Sequence, residues 1–258
     1  MIKKGLNSFQ LKITALVIMT IDHIAAFSVV PMPYEVYIVM RAIGRIAAPL
    51  FLFLLVEGLR HTKDRKKYIL RLYVAGVIMQ VIRTIYIFDD MGNIFQTFFY
   101  TALYITCIDA IGKKERRIIR PEYFIYLSML FVFIHMHFGH ALLNIFCPSP
   151  FNVEYSFLFV LLGVAWYYVK NKKINCLIFI GLSVISGLVE SSVFSSGGLS
   201  SGGFTFDHLF GSIQWLMVLA VPFMLLYNGE KGRGGLKYLF YIYYPAHQML
   251  FVLIGLFR

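Results

Sequence analysis

Asp22 and His23 stand side by side inside an apolar stretch, Met19–Ala25, MTIDHIA. Arg41 and Arg45 recur four residues apart in the next apolar stretch. Arg83 lies in a third, and His247 lies near the end of the chain, two residues after Pro245. An imidazole titrates near neutral pH and can move a proton to or from a substrate. A guanidinium can hold negative charge as it develops on an oxygen. The same groups also serve proton relays and anion sites in transporters. On a helix Asp22 points about 100° away from His23. It is therefore better placed to hold an arginine, with Arg45 the expected partner, or His247, than to orient His23. Each residue also has a plainer reading as one half of a buried pair that fixes helix packing.

These charges are informative because of what surrounds them. The chain has 258 residues, of which 59% are hydrophobic and 14% charged. Soluble domains carry roughly 25% charged residues. The composition excludes a disordered chain, a fibrous repeat, a disulfide-rich mini-protein and an ordinary soluble fold. It implies an all-α, polytopic helical bundle in a bilayer. Apolar runs at 11–30, 36–59, 69–88, 94–112, 123–145, 154–170, 174–194, 208–228 and 236–257 predict about nine to ten spans of one transmembrane domain, 1–258.

The net charge of +11 would suggest nucleic acid in a soluble protein. Here most Lys and Arg residues gather in alternate loops: near Lys3, Arg60–Lys67, Lys113–Arg120, Lys170–Lys173 and Lys231–Lys237. The intervening loops hold Glu35, Asp89, Asp90 and Asp207 instead. By the positive-inside rule this places the amino terminus in the cytoplasm and removes the nucleic-acid reading. Arg41, Arg45, Arg71 and Arg83 remain inside spans. Arg71 is near a helix end and can snorkel. At 1.5 Å per residue, Asp22 and His23 lie roughly 17 Å from the inner surface, Arg45 and Arg83 roughly 21 Å, and His247 roughly 16 Å. Four helices thus contribute to one layer in mid-membrane, where a charge is costly and marks a functional interior.

Other features carry less. Cys107, Cys147 and Cys176 are scattered and read as small apolar residues. His135, His137 and His140 resemble a metal set, but His135 points away from the other two on a helix, and no metal is expected. Ser195–Gly203 reads as a flexible outer loop or a lid. Asp207, before His208, reads as a helix N-cap.

The segments MTIDHIA (Met19–Ala25), RAIGRIAAPLFLFLLVEGLRHTKDRKKYILRL (Arg41–Leu72) and KYLFYIYYPAHQ (Lys237–Gln248) resemble the TraX family of bacterial membrane proteins. That family is similar to the acyltransferase-3 group, whose members carry a basic residue and a histidine with ten residues between them. Lys12 and His23 have that spacing, with Lys in place of the commoner Arg. The resemblance implies acyl transfer from cytosolic acyl-CoA, with acetyl-CoA as co-substrate, in the cytoplasmic membrane of a bacterium. His23 would be the general base, with Asp22, Arg45 and His247 beside it. Arg41 and Arg83 would support the acyl donor, and Lys12, Glu57 and Arg60 would lie toward its cytosolic end. The acceptor, whether glycan, lipid, peptide or small molecule, stays open, as does the oligomeric state. A secondary transporter and a non-catalytic assembly partner are the competing readings.

Overall fold

The computed structural model describes residues 5–86, 92–112, 153–190, 212–233 and 238–256. The elements are α1 (Ser8–Ala26), α2 (Tyr34–Gly44), α3 (Ala47–His61), α4 (Arg65–Tyr86), α5 (Ile94–Gly112), α6 (Ser156–Tyr168), α7 (Lys172–Glu190), a 3-10 helix (Gln214–Ala220), α8 (Val221–Leu226) and α9 (Leu239–Leu256). The all-helical expectation holds for the described residues; their one β feature is an isolated bridge between Leu6 and Tyr227.

Among the described residues three stretches are long and apolar enough to cross a membrane: Ser8–Ala26, Tyr34–His61 and Arg65–Ile85. Ser156–Tyr168, Gln214–Leu226 and Leu239–Gly255 are shorter apolar helices. These helices mark a membrane protein. The expected span at 123–145, with His135, His137 and His140, lies outside the described residues. So do Ser195–Gly203, Asp207 and His208.

Two expected spans differ in form. The run at 36–59 is not one straight helix: it breaks at Arg45 and Ile46. Pro49 has no N–H to give the Arg45 carbonyl one turn back, and its ring crowds that carbonyl. The chain bridges the break with tight bonds from Arg45 N–H to Ala42 O (3.3 Å) and from Ile46 N–H to Ile43 O (3.1 Å). The run at 208–228 likewise enters α8 through the 3-10 helix, with Pro222 in the first turn of α8. A proline there has no N–H to bond back to residue 218, so it is tolerated in the first turn of a new α-helix.

The chain divides into two compact units, Met1–Leu54 with Val169–Arg258, and Leu55–Tyr168. In the first, α1 packs on α2 and α9, and α7 packs on the 3-10 helix. Asn7 caps α1 in a reciprocal box: Gln10 N–H donates to Asn7 Oδ1 at 2.9 Å, and Asn7 N–H donates to Gln10 Oε1 at 3.0 Å. The residues before this cap pair with the chain after α8, through Leu6 N–H to Leu226 O and Asn228 N–H to Leu6 O. Helices α1 and α9 run side by side in the same direction, because Thr20, His23 and Phe27 meet Tyr243, His247 and Phe251 in that order.

In the second unit α4, α5 and α6 meet around Asp109. Arg65 donates to Asp109 Oδ2 at 2.5 Å, and the hydroxyl of Tyr168 donates to Oδ1 at 2.8 Å. Glu57 pairs with Arg60, whose guanidinium also donates to Trp166 O at 2.6 Å and Tyr167 O at 3.0 Å. Those carbonyls belong to the last turn of α6, which has no helical N–H to fill them.

Candidate functional site

The first unit brings Asp22, His23, Arg41, Arg45 and His247 together. Asp22 Oδ1 accepts from Arg41 Nη1 at 2.7 Å. The expected partner, Arg45, does not make this bond, and helix geometry gives the reason. Arg41 and Gly44 are three residues apart and share the face of α2 that meets α1. A Cβ built on Gly44 would overlap the Asp22 carboxyl group. Glycine lets the two helices approach closely enough for Arg41 to reach the carboxylate. Arg45 lies in the break and turns to another element, donating from Nη1 to Gln214 Oε1 at 3.1 Å. Its Nε–H is buried and has no partner among the described residues.

Asp22 does not orient His23, as the 100° offset predicts. Its Oδ2 lies 3.8 Å from His23 Nε2, beyond hydrogen-bond reach. The orienting group is His247. His23 Nδ1 and His247 Nε2 are 2.6 Å apart, and His247 Nδ1 is 2.7 Å from the carbonyl oxygen of Tyr243. The two rings are tilted by only 6°, with centroids 4.8 Å apart. That separation exceeds the N···N distance by about two ring radii. The rings therefore meet edge to edge in one plane and are not stacked face to face.

The protons in this chain follow from what each atom can do. A carbonyl oxygen only accepts, so His247 Nδ1 carries hydrogen and donates to Tyr243 O. In a neutral ring His247 Nε2 is then the acceptor. His23 Nδ1 must donate to it, which leaves the lone pair of His23 on Nε2. A backbone carbonyl thus fixes two tautomers in series and leaves the outer ring ready to accept a proton. The carbonyl is itself steadied. Tyr243 donates its hydroxyl to Thr20 Oγ1 at 2.5 Å, and Thr20 donates to Leu16 O at 2.8 Å. Phe27, Tyr244 and Phe251 set their edges against the pair and shield it.

Gln248 is a member that the spacing of charges does not reveal. It follows His247 on α9 and is 1% exposed. The exposed large residues of α9 include Ile242, Leu250 and Leu253, whereas Tyr244, His247, Phe251 and Val252 are buried. Gln248 falls inside that buried arc, between His247 and Val252 at 100° per residue. Neither end of its amide has a partner among the described residues.

The remaining sequence candidates lie elsewhere. Lys12 is on α1, eleven residues before His23, which puts it on nearly the same face roughly 16 Å along the axis. Arg83 is on α4, and Glu57 and Arg60 are on α3, all in the second unit. Among the described residues no three His, Cys, Asp or Glu side chains gather closely enough to hold a metal ion.

The family model described as TraX protein matches residues 8–256. The chain belongs to the TraX protein family. The match encloses every residue of the cluster. The chain is also 27% identical, over 244 residues, to the probable fimbrial assembly protein FimC, serogroup H1, of Dichelobacter nodosus. That alignment covers 93% of this chain and 92% of the relative. No solved structure matches. Within this TraX protein, the family-like segments Met19–Ala25 and Lys237–Gln248 and the start of the segment at Arg41 are the pieces that build the cluster.

Proposed function

We propose that this TraX protein is a multi-pass acyltransferase of the bacterial cytoplasmic membrane. It moves an acetyl group from cytosolic acetyl-CoA to a hydroxyl or amine of an acceptor reached in or across the membrane. The observation that carries this reading is the His23 ring, whose Nε2 lone pair is fixed by His247 and Tyr243 O beside two arginines. The loop charges support about nine to ten crossings with the amino terminus inside. The Lys12–His23 spacing supports kinship with the acyltransferase-3 group.

In the proposed step His23 Nε2 takes the proton of the acceptor as the acceptor's electron pair attacks the thioester carbonyl carbon. The C=O pair moves to oxygen, where Arg45 stabilises it. Collapse breaks the C–S bond. The thiolate leaves with the bonding pair and takes the proton back from His23, giving acetylated acceptor and free CoA. Arg41 stays with Asp22 and shapes the helix contact. Arg60 already fills the end of α6, so it is assigned there and not to the CoA phosphates. The relative's name concerns fimbrial assembly, which fits an acceptor destined for the cell surface.

Radiolabelled acetyl-CoA added to the purified protein in source-cell membranes tests the reading. Transfer of label by the native chain and its loss in His23→Ala, with normal membrane insertion, is the expected result. Substrate uptake into proteoliposomes with no acetyl-CoA turnover would establish the transporter reading instead.

A further inference from the structure

Three features near the histidine pair are open at once. Gln248 is buried with neither amide end partnered among the described residues, the Nε–H of Arg45 is buried and likewise without a partner among them, and His23 has a lone pair on Nε2. Buried polar groups are nearly always satisfied, and an exception calls for a water, an ion or a ligand.

The three lie at one level of the first unit. Gly44 touches Asp22, which places the next residue, Arg45, beside the level of His23. His23 bonds to His247, which places the next residue, Gln248, at that level too. Helix α3 gives an independent check. Phe51 meets Phe240 at 4.4 Å between ring centroids. From that contact Arg45 lies six residues back toward the start of the chain, and Gln248 lies eight residues on along α9. Because α2 and α3 run against α1 while α9 runs with it, both steps lead in the same direction, by roughly 9 and 12 Å.

A carbonyl oxygen has two lone pairs and accepts two N–H donors. We propose that Gln248 Nε2–H and Arg45 Nε–H together hold the carbonyl oxygen of the acyl thioester, while Gln248 Oε1 receives the N–H of an incoming amine that does not pass to His23. The inference rests on the acyl-CoA reading. Gln248 adds what the arginine lacks: a neutral amide both donates and accepts, so it aligns the two reactants. When the acceptor's proton passes to His23 Nε2 and its electron pair forms the new bond to carbon, the C=O pair moves onto the oxygen between the two donors. Cleavage of the C–S bond restores the carbonyl, and the sulfur recovers the proton from His23. Without ligand the buried amide weakens the fold, the usual cost of a preformed site.

The test compares acetyl-CoA with free CoA, which lacks the carbonyl. Binding of each is measured by calorimetry on the full chain in nanodiscs, for the native protein, Gln248→Leu and Gln248→Met. The native protein is expected to prefer acetyl-CoA. Both variants are expected to lose about three- to tenfold in acetyl-CoA affinity with CoA affinity unchanged, the worth of one neutral hydrogen bond. Turnover falls by about 10²–10³-fold, and the ligand-free melting temperature rises. An unchanged preference for acetyl-CoA overturns the assignment of Gln248, as does a lower melting temperature, which would make the amide part of the packing. Failure of the native protein to bind either molecule overturns the acyl-CoA reading itself.

Discussion

His247 Nε2 lies 2.6 Å from His23 Nδ1, and the other nitrogen of His247 lies 2.7 Å from the carbonyl of Tyr243. The order carbonyl, His247, His23 allows one placement of the hydrogens when both rings are neutral. Under the proposed reaction this makes His247 a positioning residue, which holds the ring assigned to meet substrate. His247→Ala should lower turnover by about 10²-fold or more while leaving the KM for acetyl-CoA unchanged. His247→Gln, whose Oε1 can still accept from His23 Nδ1, should restore part of the loss. Steady-state kinetics of the three proteins check this. Equal loss in both variants would assign His247 to packing.

The Asp22–Arg41 pair is expected to act on stability more than on chemistry. Asp22 is 9% exposed. Removing one partner of a buried pair strands the other charge and costs up to 3–5 kcal/mol; with Arg41 partly exposed, about 2–3 kcal/mol is expected. Asp22→Asn should therefore lower the melting temperature, and Asp22→Asn with Arg41→Gln should recover part of the fall. Thermal unfolding in detergent gives the answer, and an unchanged melting point for Asp22→Asn would show the pair to be idle.

Gly44 and Gly255 provide a matched comparison. A methyl group at Gly44 meets the Asp22 carboxyl, whereas one at Gly255 meets nothing within 4 Å among the described residues. Gly255→Ala, at the last turn of its helix, should leave the melting temperature unchanged or raise it slightly. Gly44→Ala should destabilise the protein and reduce transfer, because α1 and α2 must separate. Similar melting points for the two variants would contradict the close helix contact.

Arg60→Ala separates two uses of one guanidinium. Its bonds to Trp166 O, Tyr167 O and Glu57 predict a lower melting temperature with acetyl-CoA affinity intact. A cofactor role predicts the reverse, which thermal shift and binding measurements on the same preparation would reveal.

The helical class and the grouping of Asp22, His23, Arg45 and His247 were legible because a charge in an apolar run stands out; Arg83, expected in the same layer, belongs to the second unit instead. The pairing was not. Which arginine reaches Asp22 depends on Gly44, a residue with no side chain to notice, and on a break set by Pro49 one turn later. The proline beside His247 drew attention to α9, yet the carbonyl that matters is that of Tyr243, bonded by the imidazole itself. Gln248 carries no charge and follows a histidine, so a search for ionisable groups passes over it. Its open amide becomes visible only with burial and hydrogen bonds in hand. The bonds of Arg60 to the end of α6 join residues more than a hundred positions apart in the chain, and no local pattern announces them.

The central claim is that His23 presents an unprotonated Nε2 because His247 accepts from its Nδ1. Nitrogen-15 NMR of histidine-labelled protein in nanodiscs at neutral pH, with His23 and His247 assigned by single substitution, reads this directly. Both rings are expected to carry hydrogen on Nδ1 and none on Nε2, and the His23 signal should lose this single tautomer in His247→Ala. A His23 ring protonated on Nε2 in the native protein would contradict the account.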